Sequence, residues 1–211
     1  MKTALLSLMM LLWIQLAQAN KYEKVMLEAI ESLYQADSIS QYQEVINKFD
    51  RIAAREADKW EPLYYAGFGY VMMANKSQQA SIKDQYLDLA MRKVNKALDL
   101  APGESELMAL EGFIHMIRVT VDPAVRGQQY APLSMQAFGK AIAHNPDNPR
   151  ALYLMGQMEY GTAQFFGADT SEACGKLKSA VEKFSTYISD NPLAPTWGKK
   201  GAESSAERCG K

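Results

Sequence analysis

Three glycines in one recurring helical pattern constrain this chain more than any other feature. Gly67, Gly112 and Gly156 each sit inside an amphipathic stretch, 45 and 44 residues apart. Each is followed by a second helical stretch with small or aromatic residues, and then by a proline. The sets are Ala90, Val94, Ala97 and Pro102; Ser134, Phe138, Ala141 and Pro146; and Ala180, Phe184, Tyr187 and Pro192. A glycine inside a helix costs about 0.5–1 kcal/mol relative to alanine, so its recurrence calls for a close crossing at each site. Proline lacks the backbone donor that would continue a helix. Two helices repeated at a fixed period form a stacked array, in which each unit buries its apolar face against the next. No stretch of useful length alternates with period two, so an all-α fold is expected.

From Trp60 to Pro195 the pattern resembles the tetratricopeptide repeat, with a small residue in each helix and a proline after the second. The resemblance implies a right-handed stack of antiparallel helical hairpins, about nine helices in all. Glycine to proline spans 35, 34 and 36 residues here, about ten more than a 34-residue repeat leaves. The surplus must lie between the two helices of each hairpin, as longer helices or a larger loop. Three further segments, GFIHMIRVTVDPAVRGQQYAP (112–132), NPDNPRALYLMGQ (145–157) and PTWG…C (195–209), resemble exported tetratricopeptide-like proteins of the Bacteroidota. That group has no assigned activity. FFGADTSEACGKLKSAVEKF (165–184) is similar to its FGG…A…F hairpin, and to one in the helical T component of periplasmic tripartite solute transporters. Ala168 and Asp169 stand where that hairpin usually has its second glycine.

At the N-terminus, Lys2, the apolar run Ala4–Ile14 and Ala17-Gln18-Ala19 have the order of a signal peptide cleaved after Ala19. Residues 20–211 then form one domain: a degenerate capping hairpin (20–58), three repeats (59–195) and a terminal helix (196–211). Within the cap, helices are expected over 21–36 and 39–57, with Asp37 or Ser38 capping the second. Pro62 suits the first turn of the next helix. The polar run KSQQASIKDQ after Asn75 is expected to connect to a helix ending at Leu100. Thr120–Pro132, with Pro123, Gly127 and Pro132, is expected to be the long connection of the second repeat.

Composition removes several function classes. A formal net charge of −1 leaves no basic field for nucleic acid. No apolar run beyond the leader is long enough to span a bilayer. The two histidines, His115 and His144, stand apart, and no metal-binding spacing is present. Gly198-Lys199-Lys200-Gly201 follows no strand or glycine-rich loop, and no G-x-S-x-G elbow occurs. No catalytic residue, cofactor or metal is therefore assigned. Arg118, Asp122 and Arg126 form one charged group that could hold an anion, although Asp122 pairing with an arginine to fix a turn explains it as well.

Cys174 and Cys209 are the two cysteines. In an exported chain an even number is read as a disulfide, here tying the tail to the last hairpin. The tetratricopeptide resemblance further implies a concave groove lined by the first helix of each repeat. Its positions are Tyr64, Phe68, Val71 and Met72; Ala109, Phe113, Met116 and Ile117; and Tyr153, Gln157, Tyr160 and Gly161. They lack the Lys, Asn and Arg that clamp a peptide carboxylate in the chaperone-binding subset, so an apolar partner is expected. The sequence thus describes a non-catalytic exported scaffold binding a protein or peptide segment. The alternative is a solute-binding component that holds a small molecule; filling of the groove by its own side chains, by the N-terminal pair or by the tail also stays open.

Overall fold

Short capped breaks divide the chain into helices. The computed structural model describes residues 21–209, so the expected leader and its cleavage after Ala19 lie outside the described residues. The elements are α1 (21–35), α2 (Ile39–Arg55), α3 (Glu61–Lys76), α4 (Ala80–Leu100), α5 (Ser105–Val121), α6 (Pro123–His144), α7 (Pro149–Phe166), α8 (Ser171–Thr186) and α9 (Lys199–Arg208). No strand occurs among the described residues. Ser38 caps α2 by accepting from the Gln41 amide, and Pro62 sits in the first turn of α3. Asn148 caps α7 more fully. Its side-chain oxygen accepts from the Arg150 and Ala151 amides, while its amide donates to the Ser105 hydroxyl at 2.8 Å. Ser105 in turn donates to the Ala141 carbonyl, so a buried polar chain joins three helices.

Consecutive helices pack as hairpins, α1–α2 then α3–α4, α5–α6 and α7–α8. The first helices α3, α5 and α7 also touch in sequence along one face. The largest core cluster runs from Met26 to Ile117 and includes Leu193 from the tail. A smaller one around Phe138, Leu154 and Met158 lies between α5, α6 and α7.

The segment 120–132 departs from its expected form, because it is helical except at Asp122. Asp122 accepts from the Val125 amide at 3.2 Å, and Pro123 occupies the first turn of α6 where its missing N–H is harmless. Pro132 lies inside α6, a placement that costs about 3 kcal/mol. Packing offsets that cost. Arg126 donates twice to Asp84 of α4, at 2.7 and 2.8 Å. Tyr130 stacks on His115 with centroids 6.0 Å apart, and the Arg118 guanidinium lies 5.5 Å from the same ring. The polar run after Asn75 is likewise helical from Ala80 onward. The surplus length of these two repeats is therefore helix: α4 has 21 residues and α6 has 22.

Each recurring glycine faces the second helix of its hairpin, and the crossing is tight at Gly112 and Gly156. A Cβ at Gly67 would lie 3.4 Å from Val94, and one at Gly112 only 2.4 Å from the Phe138 ring. A Cβ at Gly156 would lie 3.0 Å from Leu177 and 3.3 Å from the Ala173 carbonyl. The third partner pair thus sits seven residues before the expected Ala180 and Phe184. Because seven residues nearly complete two helical turns, the apolar pattern survives that slip and conceals it. Its consequence is a long tail segment between Thr186 and Lys199.

Gly112→Ala is expected to lower stability by about 1–3 kcal/mol through overpacking against Phe138. Gly127, inside α6, has open space around its Cβ direction. Gly127→Ala should raise stability by about 0.4–1 kcal/mol. Urea titration of both variants checks this, and equal shifts would contradict the crossing.

Candidate ligand cavity on the inner face

The inner face is formed by α3, α5 and α7, and the tail crosses it. From the end of α8 the chain returns to the first hairpins. The Tyr65 hydroxyl donates to the Leu193 carbonyl at 2.7 Å, and the Thr196 amide donates to the Tyr34 hydroxyl at 3.2 Å. Trp197 then stacks on Phe68 and Phe113, with centroids 4.9 and 5.7 Å away, and its indole donates to the Tyr64 hydroxyl at 2.9 Å. Helix α9 follows beside α7. A Cβ at Gly201 would lie 2.5 Å from the Tyr153 hydroxyl, which explains the glycine there.

Arg150 holds this strap at its centre. Its guanidinium donates to both carboxylate oxygens of Glu106, at 2.7 and 2.8 Å, and to the Trp197 carbonyl at 3.2 Å. Phe184 and Tyr187 cover its faces at 5.7 and 5.0 Å. Burial acts to lower the Arg150 pKa, but the Glu106 hydrogen bonds and charge outweigh it and leave it raised. Both side chains are buried, at 1% and 6% exposure.

The groove positions therefore separate into two groups. Tyr64, Phe68, Val71, Ala109 and Ile117 are buried, and Met72 and Phe113 are half-buried against the same core. The strap and α9 cover Tyr64, Phe68, Phe113 and Tyr153. Met116, Gln157, Tyr160 and Gly161 instead reach a cavity of about 340 Å³. Thr120 joins Met116 from α5, and Met158 and Gln164 come from α7. Leu177 of α8 and Ser205 and Arg208 of α9 complete the lining. Gln164 continues the helical spacing of Gln157, Tyr160 and Gly161, so it was readable by extension. The α9 residues could be reached only through the cysteine pairing.

That pairing is present. Cys174 and Cys209 form a disulfide across 35 residues with Cα atoms 5.6 Å apart. The bond fastens the end of α9 to α8 beside the cavity. Ser205 organises the wall there. Its hydroxyl accepts from the Gln157 amide at 2.8 Å and from Arg208 at 3.0 Å, and donates to the Gly201 carbonyl. At the end of α7, Phe165 and Phe166 are 61% and 75% exposed. Phe165 follows Gly161 by four residues and Met158 by seven, which places it above them on one helical stripe. Gly167, with φ at 66°, then ends the helix in the left-handed conformation.

Arg118, Asp122 and Arg126 do not assemble into an anion site. Arg118 pairs with Asp88 and Arg126 with Asp84, both on α4. Asp122 caps α6 instead of pairing with either arginine. His115 lies against Tyr130, away from the cavity, and burial lowers its pKa, with Arg118 adding to the shift. A second hollow of about 400 Å³ lies between α1 and α2. Its rim is mainly exposed charged side chains such as Lys48, Arg51 and Arg55, without an aromatic or thioether group. The inner-face cavity is therefore the better candidate. No helix among the described residues is long and apolar enough to cross a membrane.

No family model matches the sequence. The solved structure of the HusA haemophore from Porphyromonas gingivalis is similar, at 27% identity and a TM-score of 0.79. The match covers 89% of this chain and 92% of that one. A thermophilic TPR protein of Thermus thermophilus, TTC0263, matches at 12% identity and a TM-score of 0.53. That match covers 92% of this chain and 93% of the other, and supports the fold alone. The chain is a TPR-like all-α stack of helical hairpins, similar through nearly all of its described length to a haemophore.

Proposed function

We propose that this protein is an exported, non-catalytic carrier that binds haem or a closely related tetrapyrrole in the α5–α7 cavity. One observation carries the reading: an open cavity that sets thioether and phenol donors among amides and hydroxyls, in a chain similar to a haemophore along its length. Haem is a flat apolar ring whose iron accepts Met sulfur or Tyr oxygen, among other ligands. Met116 and Tyr160 line the cavity from different helices, and Met158 lies deeper. A volume of about 340 Å³ is at the small end of ligand pockets. The ring would be partly covered, with Phe165 and Phe166 extending the apolar surface at the mouth. The disulfide fits an oxidising compartment, as export requires.

The small-molecule reading of the sequence is favoured by how the tail sits. A peptide laid along α3 and α5 would have to displace Leu193–Trp197, which already satisfy Tyr64 and Tyr65. Titration with haem should change its Soret absorbance, and Met116→Ala with Tyr160→Phe should weaken binding by about tenfold or more. The absence of any spectral change with the unaltered protein would defeat the carrier reading. Equal affinity in the double variant would remove these two residues from the site.

A further inference from the structure

The cavity wall carries an asymmetry of charge. Arg208 is the one charged side chain in its lining, which otherwise has apolar groups, amides and hydroxyls. No carboxylate lines the cavity, and Arg208 makes no ion pair among the described residues. Its side chain is exposed but anchored at one point. Nη2 donates to Ser205, the hydroxyl that Gln157 also reaches from α7. The next residue is Cys209, whose bond to Cys174 fixes this end of α9 to the helix that supplies Leu177.

We propose that Arg208 is the specificity-determining residue of the cavity, selecting ligands that carry a carboxylate, and that the Cys174–Cys209 bond holds it in place. The inference rests on the carrier reading above. A porphyrin with free acid side chains presents carboxylates at one edge of an apolar plane. Arginine is the side chain best matched to that group, because its planar fork offers parallel donors. Ser205 uses one guanidinium nitrogen and leaves the other donors available. Without the disulfide, α9 would keep Ala202 and Ser205 as its buried contacts, and its last turn would lose its covalent attachment. The cation would then move with a fraying helix end, and the preference would weaken even though the apolar walls remain.

Metal-free protoporphyrin IX and its dimethyl ester separate charge recognition from ring binding. Quenching of protein fluorescence is titrated with each, using the oxidised full chain. The unaltered protein should bind the diacid about tenfold more tightly than the ester, an effect in the lower range for charge-assisted hydrogen bonds. Arg208→Gln should abolish that preference by weakening the diacid more than the ester, and Arg208→Lys should retain part of it. The paired Cys174→Ser, Cys209→Ser variant should also lose most of the preference. If Arg208→Gln keeps the full preference, or the unaltered protein shows none, the role of Arg208 is overturned while porphyrin binding stands. Binding of neither compound would defeat the carrier reading itself. A serine variant that stays folded and discriminates as before would overturn the disulfide's part. If it fails to fold, the two Arg208 variants still decide the central claim.

Discussion

Arg150→Ala is expected to be among the most destabilising substitutions in the chain, by about 3–5 kcal/mol, because it leaves a buried carboxylate without its partner. Glu106 is 6% exposed and receives both of its short hydrogen bonds from that guanidinium. The same change frees the Trp197 carbonyl and removes the cation between Phe184 and Tyr187. Arg150→Lys should recover only part of the loss, since an ammonium cannot reproduce the planar fork. The double change Glu106→Gln with Arg150→Met should be milder than Arg150→Ala, because no unpaired charge remains buried. Guanidinium-induced unfolding of the three variants tests the ordering. A loss below about 1 kcal/mol for Arg150→Ala would be the value of an exposed ion pair and incompatible with this site.

Removing the disulfide is the second large effect. For a closed loop of 35 residues, the chain-entropy account gives about 3–4 kcal/mol. The paired serine variant should therefore melt well below the oxidised protein. The unaltered chain should join it after reduction, because both then lack the cross-link. Two alkylatable thiols in protein purified from its native source would show that the bond does not form there. A variant that melts with the oxidised protein would instead mean that the loop restrains little in the unfolded chain.

The helical class was legible because the recurring glycines mark helix crossings, two of which, at Gly112 and Gly156, leave too little room for a side chain. The disulfide was legible because exported chains seldom leave two thiols unpaired. The connection at 120–132 was misread for a definite reason. Proline and glycine set local preference, but Asp84 and Tyr130 supply contacts that the local sequence does not reveal. In the third repeat the proline at 192 misled the register, since a displacement of seven residues preserves the apolar face. The lining of the candidate cavity was reachable in part. Met116, Gln157 and Tyr160 are among the positions that the tetratricopeptide resemblance implies, whereas Arg208 enters the same wall only through the path of the tail.

That path changes how the molecule must fold and fail. A linear stack makes contacts only between neighbours, so its ends can fray and its units can melt one after another. Here Thr196 bonds Tyr34 across 162 positions of sequence, and Leu193 bonds Tyr65 across 128. These contacts raise the contact order well beyond that of neighbour-only repeats, and closing such long loops slows the approach to the native state. Once closed, the two ends of the array share one fate. Opening the first two hairpins exposes Leu193, and releasing the tail uncovers Tyr64 and Phe68. Amide exchange should accordingly show α1, α3 and the 193–197 segment opening together, as a single cooperative unit spanning the chain.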